Sequence, residues 1–547
     1  MAHTAPPTPL PDPAAAGTTR RTVLLASLAG FSTLAAACSA PGAASEGGDG
    51  GGEAGSLVIG MTASDIPLLD TGMAQNEGYE GLRFVANQLY DGLTRFDLTD
   101  GSIIPPVVPG LAESWEPNGT GDSWTFTLRQ GVSFHDGTPW NADAAVFNLR
   151  RYTDPSFEFF YQELNGQAGL SIAGIASATA VDEFTLRIDC AGPWAYLPSD
   201  LTTVYMGSPT AIREAGNDGF GQEPVGTGPF TFVSVERGQS LQLAANPDYW
   251  GGAPAVGTLI LRPIPDTTTR VAALRSGEVN WIEVPPPDDV PSLEQAGFQV
   301  ETNSYDHVWP WCFDTTQAPW DDVRVRQAAN YAIDRQSLCD NVLQGTAEPA
   351  LQVCPKANAA YRPENDLYGY DPDRARQLLA EAGYAGGVSA TLSYPTSGSG
   401  NMIPGPMNEA LQRDLAAVGI EVELQPIEWA SMLTDYFVGN IPGGASAINI
   451  SLSFQQEGFW NNWLGTGVTN VTGWHDPQVE ALFQQAKETL DEAGRSDLYA
   501  QASAVITEQA PWLFVVNDRN PRVLAADVEG FVEPQSWFVD VTDVSVE

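Results

Sequence analysis

Basic residues are scarce in this chain: 25 lysines and arginines stand against 68 aspartates and glutamates, for a formal net charge of −43. A body this acidic repels phosphate backbones, so nucleic acid is not an expected partner, and the charge reads as solubility on an exposed cell surface. Histidine is scarcer still. The four that occur, His3, His135, His307 and His475, show no HExxH or paired spacing, and the five cysteines have no CxxC spacing. Neither a metal site nor a metal-dependent hydrolase is expected from such a set. Also missing are a GxSxG elbow, a Walker loop and a cysteine-histidine pairing with a plausible base. Acidic pairs such as Asp321-Asp322 are too common in so acidic a chain to signal the carboxylates of a glycosidase. Neither an enzyme nor a cofactor is therefore expected. Gly226-Thr227-Gly228 resembles a phosphate loop only briefly, because the third glycine is absent and Pro229 removes the next backbone N–H; it reads as a turn. Long apolar runs are lacking too. The run over residues 22–37 is diluted by Thr, Ser and Gly and falls short of the roughly 20 apolar residues a bilayer crossing needs.

What the N-terminus does carry is an address. Arg20 and Arg21 precede an apolar core that ends in Leu34-Ala35-Ala36-Ala37-Cys38. The core reads as a signal peptide. The arginine pair resembles a twin-arginine export signal, a receptor-read address for prefolded cargo. The small residues before Cys38 resemble the lipobox of bacterial lipoproteins, in which the cysteine is diacylated and becomes the new first residue. After it comes a Gly/Ser/Ala/Pro/acid tract without periodicity, a flexible tether with a reach of roughly 20–25 Å. The expected order is a Tat-like lipoprotein signal peptide at 1–38 and a tether at 39–56. A body follows, anchored to the outer face of the cell membrane through lipid alone.

From residue 57 onward the chain is too long for one core, so at least two lobes are expected. With 43% hydrophobic residues, 15 Trp, 16 Tyr and 22 Phe, packed cores are well supplied. Once Cys38 is lipidated, Cys190, Cys312, Cys339 and Cys354 remain. Cys339 and Cys354 are close in sequence and flank a Gly/Pro-containing turn, so a disulfide between them is expected, with Cys190 and Cys312 left over. Short strand-like runs alternate with helices. Asn141, Asp266, Asp322 and Asp334 stand where helix caps belong, Arg237-Gly238 marks a hairpin, and Gly419 ends a helix before an alternating strand. This alternation implies parallel-sheet units in the second lobe.

Eight blocks, in order, resemble a known family: DGLTRFD, PGLAESWE, WTFTLRQGVSFHDGTPWNADAAVFNLRR, PVGTGPFTF, ANPDYWGG, RVAALRSGEV, DDVRVRQAANYAIDR and GYDPDRARQLLAEAGY. They are similar to family 5 extracellular solute-binding proteins, the dipeptide, oligopeptide and nickel class serving ABC importers. The resemblance implies an α/β, periplasmic-binding-protein-like type II fold, with two lobes, hinge strands and an extra N-terminal subdomain. Lobe I with that subdomain would take 57–302, lobe II 303–511, and 512–547 would return to lobe I. The implied partners are a small-molecule or peptide ligand held between the lobes, and ABC permease and ATPase subunits that receive it from a monomer. Non-peptide ligands (opine, oligosaccharide or metal-chelate) and a surface sensor on the same scaffold remain open.

Candidate ligand-binding residues cluster in two places. Trp309, Trp311 and Asp314 lie near the expected crossing, and Gln455, Glu457, Trp460 and Trp463 lie in SLSFQQEGFWNNWL, where amides and indoles together suit a wet, adaptable pocket. In peptide-binding members of the family an aspartate in this second stretch holds the ligand's α-amino group. Here Ser451, Ser453, Gln455 and Gln456 occupy the neighbourhood, and the first acid is Glu457. A free peptide N-terminus would therefore need Glu457 or Asp314 to take that role.

Overall fold

The computed structural model describes residues 55–547. Arg20, Arg21, Cys38 and nearly all of the expected tether lie outside the described residues.

Three sheets organise the body. The first runs Gln299–Glu301, Arg522–Leu524, Trp281–Glu283, Ser56–Met61, Thr258–Pro263, Ser240–Ala245, Phe230–Glu236. Its middle strand, Ser56–Met61, pairs in parallel with both neighbours and keeps Leu57, Ile59 and Met61 out of water, as a central parallel strand must. The hairpin between Phe230–Glu236 and Ser240–Ala245 turns at Gly238, whose φ of +72° suits glycine. A helix, Thr267–Arg275, links two of the parallel strands, its first turn closed by the Asp266 carboxylate accepting from the Thr269 N–H.

The second sheet runs Ala347–Pro349, Trp512–Asp518, His307–Phe313, Ala447–Asn449, Val388–Pro395, Ile420–Ile427. Val388–Pro395 lies parallel to both neighbours, and helix Pro404–Val418 connects it to Ile420–Ile427, stopping at the left-handed Gly419. Strand His307–Phe313 is buried throughout and sends alternate residues to two apolar layers: Val308 and Cys312 to one, Trp309, Trp311 and Phe313 to the other. The third sheet is small and antiparallel, with order Ala112–Pro117, Ser123–Leu128, Thr185–Cys190, Ile175–Asp182. Helix Ala142–Thr153 packs on it, capped by Asn141.

Two expectations need correction. Strand Trp512–Asp518, expected to begin the return to the first lobe, pairs with His307–Phe313 and Ala347–Pro349 in the second sheet; the return comes at Arg522–Leu524. Its seven residues are all buried, so the second core holds them to the last. The expected disulfide is also absent. Cys339 and Cys354 are free thiols that pack in separate apolar layers, on opposite faces of the second sheet.

The two crossings, at 302–306 and 519–521, run side by side. The Tyr305 hydroxyl donates to the Asn520 carbonyl at 3.0 Å and to Glu533 at 2.7 Å. Arg522 reaches Glu283 at 3.3 Å and also pairs with Glu533, while Arg83 meets the other oxygen of Glu283 at 2.8 Å. Nearby, burial pushes the Asp306 carboxyl up from 3.8 to about 7 and the Asp518 carboxyl up to about 8. Burial holds His307 down to about 3, so its 3.7 Å contact with Asp518 is not an ion pair.

Asp306 and Asp518 keep protons in the folded protein that the unfolded chain releases near the ordinary value. Their contribution to stability is complete below that value and is lost as pH rises through about 7 to 8. The melting temperature is expected to be a few degrees lower at about pH 8 than at about pH 5, and Asp306→Asn should flatten that slope. Scanning calorimetry across this range checks it, and a melting temperature that climbs toward pH 8 contradicts it.

Candidate functional site

The lobes enclose a cavity of about 310 Å³. Gln75, Gly78, Tyr79 and Leu82 of the first lobe form one wall, joined by Gln167, Ser171 and Ala173 beside the small sheet. The opposite wall comes from helix Trp429–Tyr436, the segment 450–452, helix Gly458–Leu464 and the loop after it.

Local chemistry places each wall residue. Glu428 caps its helix by accepting from the N–H groups of Ala430 and Ser431, at 3.0 and 2.9 Å. Helical spacing then sets Trp429, Leu433 and Tyr436 on one face, toward the cavity. Two glycines make room for Trp429. A Cβ on Gly398, φ +101°, would fall 2.4 Å from the indole, and one on Gly78, φ +66°, would fall 3.1 Å from its far edge. On helix Gly458–Leu464 the same spacing turns Phe459, Asn462 and Trp463 to the cavity, with the rings of Phe459 and Trp463 stacked at 4.7 Å.

Direct bonds join the lobes beside the cavity. The Gln456 amide donates to the Thr203 hydroxyl at 3.1 Å, and the Gly458 N–H donates to Asp200 at 3.3 Å. Ser536 donates to the Gln455 amide oxygen at 2.7 Å. Burial pushes Asp200 up to about 8.

The electrostatics of the wall are plain: it contains no Asp, Glu, Lys, Arg or His. Glu77, next to the lining Gly78, points to Ser64 at 3.3 Å, and burial with the charge of Glu80 pushes it up to about 8. Several polar groups of the wall are satisfied internally. Ser171 donates to the Ala168 carbonyl, Ser451 to that of Gly400, and Thr469 to that of Asn462. The Ser451 hydroxyl lies 3.2 Å from His307 Nδ1 but directs its proton to the Gly400 carbonyl at 2.8 Å, and among the described residues no group of three His, Cys, Asp or Glu could hold a metal ion. An aromatic chamber of this kind can enclose a small molecule and exclude water from it.

Residues 106–470 match the model of the bacterial extracellular solute-binding proteins, family 5 middle. The chain belongs to that family. It is 31% identical over 501 residues to heme-binding protein A of Haemophilus influenzae, covering 86% of this chain and 89% of that one. It is 28% identical over 492 residues to the dipeptide-binding protein of Escherichia coli, covering 84% and 89%. Among solved structures it resembles a dipeptide-binding protein from a Pseudoalteromonas species in complex with Met-Leu, with a TM-score of 0.80, 24% identity, and coverage of 90% of this chain and 100% of that one. The fold is the two-lobed α/β type II arrangement of periplasmic binding proteins, enlarged by the small N-terminal sheet.

Within this family 5 protein the residues singled out from sequence are scattered. Trp463 lines the cavity. Trp460, three positions earlier on the same helix, turns away and is packed between Phe454 at 4.2 Å and Tyr499 at 5.3 Å. Trp309 and Trp311 are fully buried in the apolar layer of the second sheet, Trp311 donating to Asn408 at 2.7 Å. Asp314 closes a turn by accepting from Thr316 and Gln317. Gln455 joins the lobes without lining the cavity, and Glu457 is paired with Arg495 at 2.7 and 2.8 Å. Five of the seven are thus parts of cores, turns or ion pairs, because the strand and helix periods that bring them near the cleft also turn them from it. Trp429, Leu433, Tyr436 and Tyr79 were missed. The i, i+4, i+7 spacing in WASMLTDY after the Glu428 cap was the available signal.

Trp460→Ala is expected to cost about 3–5 kcal/mol of stability, as a cavity in a closed core does, whereas Trp463→Ala should cost less than half as much. Denaturant titration of both variants measures the pair, and equal losses would return Trp463 to the core.

Proposed function

We propose that this chain is the substrate-binding lipoprotein of an ABC importer, held outside the cytoplasmic membrane by lipid on Cys38. It captures a small solute, peptide or peptide-like, between its lobes and delivers it to a permease whose ATPase partner drives uptake. The observation that carries this reading is the cavity itself: both lobes build its walls, and those walls are aromatic and uncharged. A ligand touching both walls favours the closed arrangement by its differential affinity for that state, and closure is what a permease can sense. The relatives named for dipeptides support a peptide-like solute. The protein acts as a monomer, with no nucleic acid partner.

Native mass spectrometry of the full chain, incubated with a small-molecule and peptide extract, should show one bound solute per chain. Small-angle scattering should show a more compact particle when that solute is present. A chain that retains no solute and never compacts argues against the receptor role. Cys38→Ala should release the protein into the medium with its solute capture intact; a variant that stays with the membrane fraction counts against the lipid anchor.

A further inference from the structure

Three residues of the cavity wall carry buried polar atoms that are unpaired. Ser399 and Trp429 are each only 4% exposed, and neither the Ser399 hydroxyl nor the Trp429 indole N–H has a hydrogen-bond partner. The buried amide oxygen of Gln167, on the opposite wall, is also unpaired. Unpaired indole N–H groups also occur away from the cavity, at Trp309, Trp512 and Trp537, but Gln167, Ser399 and Trp429 line one chamber, where a ligand can supply the missing partners. Together they offer two donors and one acceptor. That pattern complements the carbonyl oxygens and the N–H of an amide backbone.

The same wall offers nothing to a charge. A free dipeptide brings an ammonium and a carboxylate, and burying either without a partner is strongly unfavourable. Among the acids that adjoin lining residues, Glu457 is engaged with Arg495, Glu428 in capping its helix, Glu77 with Ser64 and Glu80 with Thr62, while Asp314 is engaged in its turn. Trp429, Tyr436, Phe459 and Trp463 supply aromatic surface on the second-lobe side.

Building on the solute-receptor reading, we infer that the cavity recognises an uncharged, largely apolar amide, a cyclic or doubly blocked dipeptide, through Gln167, Ser399 and Trp429, and that it rejects free peptide termini. Gln167 belongs to the first lobe and Ser399 and Trp429 to the second, so one amide backbone that reaches all three engages both lobes and couples recognition to closure. At about 310 Å³ the chamber is at the small end of ligand pockets, which suits two residues better than a long peptide.

Isothermal titration of the full chain decides this with three probes: Leu-Phe, N-acetyl-Leu-Phe-amide and cyclo(Leu-Phe). At least one neutral probe should bind about tenfold or more tighter than Leu-Phe. Trp429→Phe, which keeps the ring and removes the N–H, and Ser399→Ala should each weaken that binding about three- to tenfold. Thermal melts of the same variants show whether the fold is kept. Leu-Phe binding as tightly as the neutral probes overturns the inference and leaves the receptor role standing. Binding of none of the three also overturns it, while solute capture from the extract judges the receptor role separately. Neutral-probe affinity unchanged in both variants overturns the assignment of the polar contacts.

Discussion

Two guanidinium groups without access to water, Arg83 and Arg522, lie where the chain passes between its lobes, and the geometry of everything else follows from how they are neutralised. Both face Glu283, and Arg522 also faces Glu533. Both donate to the Trp537 carbonyl as well, at 3.1 and 3.0 Å. The Trp537 ring in turn stacks on His307, the first residue of a central strand of the second sheet, at 4.8 Å. An ion pair this deep is poor evidence of added stability, since desolvation offsets its attraction. Its directional bonds do fix the returning strand and the C-terminal segment against the first sheet, so the second lobe hangs from a defined edge.

That arrangement explains where the cavity sits. It opens beside the crossings, with Gly78 and Tyr79 approaching from one lobe and Trp429 from the other. The indole needs both neighbouring glycines to be free of a Cβ, so a single aromatic ring records how closely the lobes meet. The bonds from Gln456 and Gly458 to the first lobe bring the aromatic helix Gly458–Leu464 up against the same gap.

How much of this was legible in the sequence depended on range. Helix caps at Asn141, Asp266, Asp322 and Asp334, and the stop at Gly419, are local hydrogen-bond and steric problems that a few adjacent residues settle. The family blocks carried the fold for the same reason, being turns and packing faces repeated in order. The site was read less well. Trp460 and Trp463 look alike in a string, and only the packing of Tyr499 and Phe454 separates a core indole from a lining one. Gln456 was noted in an amide-rich stretch, yet its partner Thr203 lies far away in the chain. Trp429 escaped because its importance comes from Gly78 and Gly398, neither of which is its neighbour in sequence. The disulfide expectation failed through distance too: closeness in sequence says nothing about a sheet standing between two thiols.

Those thiols bear on the life of the protein before it reaches its place of work. Cys312, Cys339 and Cys354 are buried and unpaired, and burial pushes each away from the reactive thiolate form. The described body therefore needs no oxidation step to reach its final form, and it can be completed in the reducing interior where it is synthesised. The assembled protein could leave the cell with its solute chamber already formed.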